Sequence, residues 1–134
     1  MLAFIITAIL AIQADFVQTR HVALMSEPQV STGHMVYRAP DYLQWAYRTP
    51  SPLVWEIDGD KSNVTPQVQR LLRMIMSSIA SDGNVDAIAE RESRKLFRSV
   101  QISMDEKTGV AKRVEMIDKN GDTTIIEFIN VIAE

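Results

Sequence analysis

The stretch that decides the fold spans residues 31–59 and reads STGHMVYRAPDYLQWAYRTPSPLVWEIDG. Apolar and polar side chains alternate over Thr32–Arg38, Tyr42–Tyr47 and Leu53–Ile57, and prolines separate the three runs. β-Branched and aromatic residues at period two, bounded by turn formers, predict an antiparallel meander. Both tryptophans and all three tyrosines of the chain lie in this stretch, so one face of the sheet needs an apolar cover.

Further strands are predicted on both sides of this meander. Asp15–Met25 alternates before it, and Ser99–Asp105, Val110–Ile117 and Thr123–Val131 follow as three successive antiparallel strands. A glycine ends the first of the two connections between these three strands. The second contains Asn120-Gly121, and Asn-Gly is the strongest short signal for a hairpin.

The clearest helix begins at Thr65-Pro66 and is predicted to end near Gly83. Thr65 is a candidate N-cap, and Pro66 would occupy the first helical position, where its missing N–H costs nothing. Met74 and Met76 widen the apolar side, so the helix is either a permanent cover of the sheet or a lid with a repackable underside. The apolar positions recur at helical spacing and are Val68, Leu71, Leu72, Ile75 and Ile79. A second helix is predicted over residues 86–97.

The composition excludes several classes of function. The 134 residues suit a single domain over 1–134, and a net charge of −3 with scattered basic residues gives no nucleic-acid footprint. The chain has no cysteine and two histidines, which excludes a disulfide scaffold, a zinc-thiolate site and a cysteine nucleophile. Asp118, Asn120 and Asp122 do not complete a calcium loop. No catalytic motif appears, so we expect no enzyme activity, metal or cofactor.

The chain starts with an apolar run, MLAFIITAILAI, over residues 1–12. Its length is below the roughly 18–20 residues that a membrane-spanning helix needs. Two interpretations remain open, a remnant of a signal peptide and a buried N-terminal helix.

Seven short motifs follow one another in a characteristic order. They are Phe16-x-Gln18, Ser31-x-Gly33, Met35-Val36-Tyr37, Pro40, Trp45-x-Tyr47, Pro50 and Asp58-Gly59. In this order they resemble the LolA family of periplasmic lipoprotein carriers, in the version found in Bacteroidetes-like bacteria. Relatives of this family place at least two more strands between the helix and the final hairpin. In this chain only the short segment that ends before Arg98 is available for them.

The resemblance implies a mainly β (α+β) fold, in which a strongly curved antiparallel sheet forms an incomplete β-barrel with a helical lid. It also implies a monomeric periplasmic carrier that binds the acyl chains of lipoproteins in an apolar cavity. The expected partners are acylated lipoproteins, an inner-membrane ABC-type lipoprotein-releasing complex and an outer-membrane acceptor. Two alternatives stay open: a lipid- or lipoprotein-sensing regulatory module on the same fold, and a domain with a filled core and no ligand.

The residues expected to line the acyl-chain cavity are Met35, Tyr37, Leu43, Trp45, Leu72, Ile75 and Met76. Possible lid contacts are Arg38 and Tyr47. In proteobacterial relatives an arginine directly before the proline holds the lid shut. Here Ala39 precedes Pro40 and the arginine lies one residue earlier. Because a one-residue offset on a strand turns a side chain to the opposite face, Arg38 is either a latch or a surface residue.

Overall fold

The structure, a computed structural model, describes residues 11–79 and 94–134, without the side chains of 76–79. Nearly all of the apolar run 1–12, the predicted helix end at Gly83 and most of the predicted helix 86–97 lie outside the described residues. Only 94–96 of that helix are described as helical, and Phe97 already begins a strand. The described elements are β1 (Ala11–His21), β2 (Gln29–Arg38), β3 (Tyr42–Thr49), β4 (Leu53–Asp58), β5 (Lys61–Ser62), α1 (Pro66–Ile79), β6 (Phe97–Met104), β7 (Ala111–Asp118) and β8 (Thr123–Ala133).

The eight described strands form one antiparallel sheet in the order β5-β4-β3-β2-β1-β8-β7-β6. The sheet is not closed, because β5 and β6 remain at opposite edges. The β1–β8 pair joins the two ends of the described chain, where the amide of Ala11 donates to the carbonyl of Glu134 at 2.9 Å. The predicted mainly β fold with an incomplete barrel is confirmed.

The first strand begins and ends four residues earlier than predicted. It spans Ala11–His21 instead of Asp15–Met25, and the segment after it turns back toward β2. The buried side of this strand already begins at Ile12 and Ala14, whereas Leu24 is 97% exposed. The predicted boundary was wrong because pairing with β8, which the local pattern does not contain, extends the strand toward its start.

A close approach between strands explains the glycine of the Ser31-x-Gly33 motif. Gly33 lies opposite Phe16 on β1 and opposite Tyr47 on β3. A Cβ atom at Gly33 would lie 2.5 Å from Phe16 Cζ and would also collide with the carbonyl oxygen of Ala46. The missing side chain therefore lets the Phe16 ring lie across β2 and stack on Trp45, with ring centroids 4.1 Å apart.

Helix α1 covers the inner face of this sheet. The amide of Val68 donates to Thr65 Oγ1 at 3.4 Å, which confirms the predicted N-cap, and Pro66 is the first helical residue as expected. The helix inserts Leu72, Met74 and Ile75 into the core, each at most 2% exposed. Burial of three such side chains stabilises the docked helix by about 1.5–3 kcal/mol each.

The core that α1 completes draws on nearly every strand. Its other buried members are Ile12, Ala14, Phe16, Met35, Tyr37, Leu43, Trp45, Ile57, Val110, Ala111, Val114, Met116, Ile126 and Phe128. Over residues 11–79 and 94–134, we find no helix with the length and apolar character needed to cross a bilayer.

Candidate functional site

A cavity of about 310 Å³ lies between α1 and the inner face of the sheet. The helix contributes one wall, and strands from both halves of the sheet contribute the other. Its lining is Gln18, Arg20, Trp45, Tyr47, Trp55, Gln67, Val68, Leu71, Leu72, Ile75, Leu96, Phe97, Met116, Asp118, Thr124 and Ile126. Aromatic, aliphatic and methionine side chains with a few polar groups are the usual lining of a pocket that binds an apolar ligand.

The sheet wall of this cavity is built from packed aromatic rings. Trp45 stacks on Phe16 and meets Phe128 edge-on, with centroids 6.1 Å apart. Tyr47 lies edge-on to Phe16 at 5.4 Å and to Trp55 at 5.3 Å. Each of these rings packs against at least one other, and edge-to-face contacts of this kind add about 0.5–1.5 kcal/mol per pair.

Polar groups from β1 and β3, the strands on either side of β2, meet at this wall. The Tyr47 hydroxyl donates to Gln18 Oε1 at 2.9 Å, and burial raises the pKa of Tyr47 above its usual value. Contacts of this hydroxyl with the indole N–H of Trp45 and with Gln18 oppose the rise in pKa, and the Trp45 contact is the larger of the two. Trp45 Nε1 is buried against the hydroxyl, although the contact falls outside strict hydrogen-bond geometry.

The lining also contains two charged side chains, those of Arg20 and Asp118. The Arg20 guanidinium is 3.6 Å from Asp122 Oδ2 and 3.9 Å from Asp118 Oδ2. Asp118 Oδ1 accepts the amides of Asn120 and Asp122, so this carboxylate holds the β7–β8 turn. Within the described parts of the chain, no group of three or more possible metal ligands converges. The apolar part of the lining suits an apolar guest.

The structure brings some of the predicted cavity residues together and separates others from them. Trp45, Leu72 and Ile75 line the cavity. The remaining three with described side chains are buried in the same core but are not part of the lining: Met35, Tyr37 and Leu43. The side chain of Met76 lies outside the described residues. An acyl-binding role for this set stays a prediction.

The two predicted lid contacts occupy different places. Tyr47 lies in the cavity wall. Arg38 is exposed, and its guanidinium carbon lies 5.2 Å from the centroid of the Tyr42 ring. Arg38 follows the buried Tyr37 on β2, so the alternation of the strand directs it to the outer face. The structure thus brings Tyr47 to the cavity and leaves Arg38 away from it.

A polar contact of α1 was missed by the sequence reasoning. Arg73 Nη2 donates to the carbonyl oxygen of Gly59 at 2.8 Å, which ties the helix to the turn between β4 and β5. The Asp58-Gly59 turn itself was visible in the sequence, but a backbone acceptor leaves no trace in residue identity. The cavity residues of the later strands were missed too, although the alternation around Met116 and Ile126 was a usable signal.

Comparisons with known proteins add little to this geometry. No family model matches the chain, and no curated protein matches it. Among solved structures, the chain is similar to the crystal structure of a DUF1329 family protein from Desulfovibrio piger, with a TM-score of 0.38 and 9% sequence identity. The alignment covers 94% of this chain and 86% of that chain. The chemistry of the site therefore has to be inferred from its own residues.

Proposed function

We propose that this protein is a periplasmic carrier that binds the acyl chains of lipoproteins and ferries them from the inner to the outer membrane. The cavity under α1 is the observation that carries the proposal. The motifs that resemble the LolA family supply the direction of transport and the partners. These partners are an inner-membrane ABC-type lipoprotein-releasing complex and an outer-membrane acceptor.

The physical task of such a carrier is to keep hydrocarbon out of water. Each methylene removed from water contributes about 0.8 kcal/mol, so an acyl chain does not leave a membrane without an apolar escort. The cavity walls offer Trp45 and Met116 from the sheet and Leu71 and Ile75 from the helix. These apolar side chains can pack against the methylenes of a guest and exclude water from them.

Release requires a cover that can move. If α1 lifts, Leu72, Met74 and Ile75 lose their contacts with the sheet, at about 1.5–3 kcal/mol for each side chain. About ten guest methylenes placed under the helix would offset that loss at about 0.8 kcal/mol each. Lifting also breaks the contact between Arg73 and the Gly59 carbonyl. On this estimate a guest with about ten or more buried methylenes makes the loaded arrangement competitive with the docked one.

The size of the cavity bears on the cargo. At about 310 Å³ it lies at the lower end of the roughly 300–1,000 Å³ typical of small-molecule pockets. A triacylated anchor therefore needs α1 to move away from the sheet, whereas part of a single chain fits beneath the helix as it stands. Met74, buried on the underside of α1, has a flexible side chain suited to repacking around such a guest.

The direct test is the formation of a soluble complex with a triacylated lipoprotein. The purified protein is mixed with detergent-solubilised cargo, the detergent is removed, and the products are separated by size exclusion. We expect coelution with the acylated cargo and none with the same cargo lacking its acyl chains. Failure to form a soluble complex with the triacylated form rejects the carrier proposal. In a pulldown from membrane extracts, retention of a membrane protein partner without any lipoprotein would instead favour the regulatory alternative.

A further inference from the structure

The cavity opens at one end of the sheet, which we call the rim. The rim comprises residues 20–30, 48–54, 94–98 and 117–124, and the strand register places these ranges side by side. Its members Arg20, Asp118 and Thr124 line the cavity. The side chains of Arg20 and Asp118 are 44% and 26% exposed, so the lining reaches the surface of the protein at the rim.

The rim also carries most of the large apolar side chains that the described surface exposes. They are Leu24, Met25, Val30, Leu53 and Val54, whereas Ile129 and Ile132 lie toward the other end of β8. Leu24 is 97% exposed, in a turn where the amide of Met25 donates to the carbonyl of Val22 at 2.9 Å. The amide of Ala23 donates to Asp122 Oδ1 at 3.2 Å, which ties this turn to the connection between β7 and β8. The apolar tip is therefore held beside the opening of the cavity.

The two ends of the sheet differ in charge. The rim contains six basic and three acidic residues, among them the exposed neighbours Arg98 and Lys119. The opposite end consists of residues 37–43, 57–62, 103–112 and 132–134, and it contains four basic and six acidic residues. The rim is thus positive in a chain whose net charge is −3, and a positive surface is attracted to anionic lipid headgroups.

We propose that the rim docks on the surface of a bilayer that contains anionic phospholipids. Leu24 and Met25 insert among the lipid chains, and the basic residues of the rim meet the headgroups. Apolar insertion combined with cationic attraction is the usual basis of reversible binding to a membrane surface. In its purpose the inference rests on the proposed function, because docking by the rim turns the opening of the cavity toward the membrane. An acyl chain can then pass between bilayer and cavity with little exposure to water.

The distribution of the apolar residues favours a bilayer over a protein partner. Leu24 and Met25 lie in the connection after β1, whereas Leu53 and Val54 begin β4, which β3 separates from β2. A specific protein interface buries about 800 Å² on each partner in a packed and complementary patch. The rim instead offers separate apolar tips among charged residues, and a fluid apolar phase accepts such tips without shape complementarity.

The experiment measures cosedimentation of the purified protein with vesicles of phosphatidylethanolamine and phosphatidylglycerol, and with vesicles of phosphatidylcholine alone. We expect tighter binding to the anionic vesicles, and high salt should remove the difference. Leu24→Ser should lower the affinity for anionic vesicles about tenfold, because the inserted leucine is lost. Ile132→Ser is the matched control, since Ile132 is 58% exposed at the opposite end and its replacement should change the affinity by less than about twofold.

The contribution of charge is tested in the same assay. Lys119→Gln removes one exposed cation from the rim and should lower the affinity for anionic vesicles about fivefold. Lys107→Gln removes one exposed cation from the opposite end and should leave that affinity within about twofold.

A second readout reports the orientation on the membrane. The chain has no cysteine, so Leu24→Cys and Ile132→Cys each accept a single environment-sensitive fluorophore. On anionic vesicles the emission of the label at position 24 should shift to the blue, and that of the label at position 132 should stay unchanged.

Three results would overturn the inference: no sedimentation of the wild-type protein with anionic vesicles, equal losses in the two serine variants, or a label at position 24 that remains in water. If Leu24→Ser weakens capture of a membrane protein while lipid vesicles bind no protein, the rim contacts a protein and the inference is wrong. The carrier proposal is tested separately, because Leu24→Ser should still form the soluble complex with triacylated cargo when that cargo is loaded from detergent.

Discussion

A substitution that fills the cavity can distinguish a ligand-binding site from a packing defect. Thr124 on β8 lines the cavity and is half-buried. In Thr124→Leu the longer apolar side chain enters the space between the sheet and α1. Each extra buried methylene stabilises the fold by about 0.8 kcal/mol. We therefore expect the free energy of unfolding to rise by about 1 kcal/mol.

The same substitution should weaken binding. If the new side chain takes the place of two guest methylenes, the loss is about 1.6 kcal/mol, or roughly tenfold in affinity. Stability is measured by urea unfolding and affinity by displacement of a fluorescent fatty probe. A gain in stability together with a loss of affinity is the result expected of a cavity that binds a ligand.

Thr123 provides the matched control. It is the neighbouring threonine on the same strand, it is half-buried too, and the alternation of β8 directs it to the other face. Thr123→Leu should leave the affinity for a fatty probe within a factor of two, an allowance on the order of ordinary surface substitutions. If Thr124→Leu destabilises the protein without changing its affinity, the cavity is not the binding site.

Three further predictions follow from individual contacts. Arg73→Gln removes the donor to the Gly59 carbonyl and should loosen α1 by about 1 kcal/mol, seen as roughly fivefold faster amide exchange in the helix; unchanged exchange would refute its role in holding α1 on the sheet. Gly33→Ala forces a Cβ against the Phe16 ring and should cost about 3 kcal/mol in urea unfolding, and a cost below about 1 kcal/mol would contradict the close approach. Hydrogen bonds lower the pKa of Asp15 in the folded protein. Its carboxylate therefore stabilises the fold at pH values above the unfolded pKa of about 3.9. This stabilisation is lost as the pH falls through the lowered pKa of the folded protein. Asp15→Asn should accordingly lose less stability than the wild type between neutral and strongly acidic pH, and an identical pH dependence would show that the carboxylate is not involved.

The meander and the helix could be read from the sequence because their signals are local. Period-two alternation placed β2, β3 and β4 within a few residues, and Thr65-Pro66 marked the start of α1. The Asn-Gly pair before β8 lies at a turn where Gly121 has a φ of 91°. Each of these features depends on neighbours a few residues apart, so residue identity is enough to reveal it.

The composition of the cavity could be read only in part, because it depends on distant pairings. The pairing of β1 with β8 places Phe16 opposite Phe128, more than 100 residues away in the chain. That pairing brings Met116 and Ile126 to the same inner face as Trp45, which alternation alone does not specify. Leu72 and Ile75 could be predicted to face the sheet, but the part of the sheet that they meet could not.

The packing of the inner face also explains why a cavity lies where it does. Around Leu43 and Met35 the face is filled, with both side chains at most 1% exposed. Toward Tyr47 and Thr124 the lining instead borders a partly open space of about 310 Å³. Because this space opens to solvent, water occupies it when no guest is bound. An apolar guest that displaces this water gains the burial of its hydrocarbon against Trp45, Leu71 and Ile75. A lining of packed aromatic rings and apolar helix residues therefore favours such a guest over water.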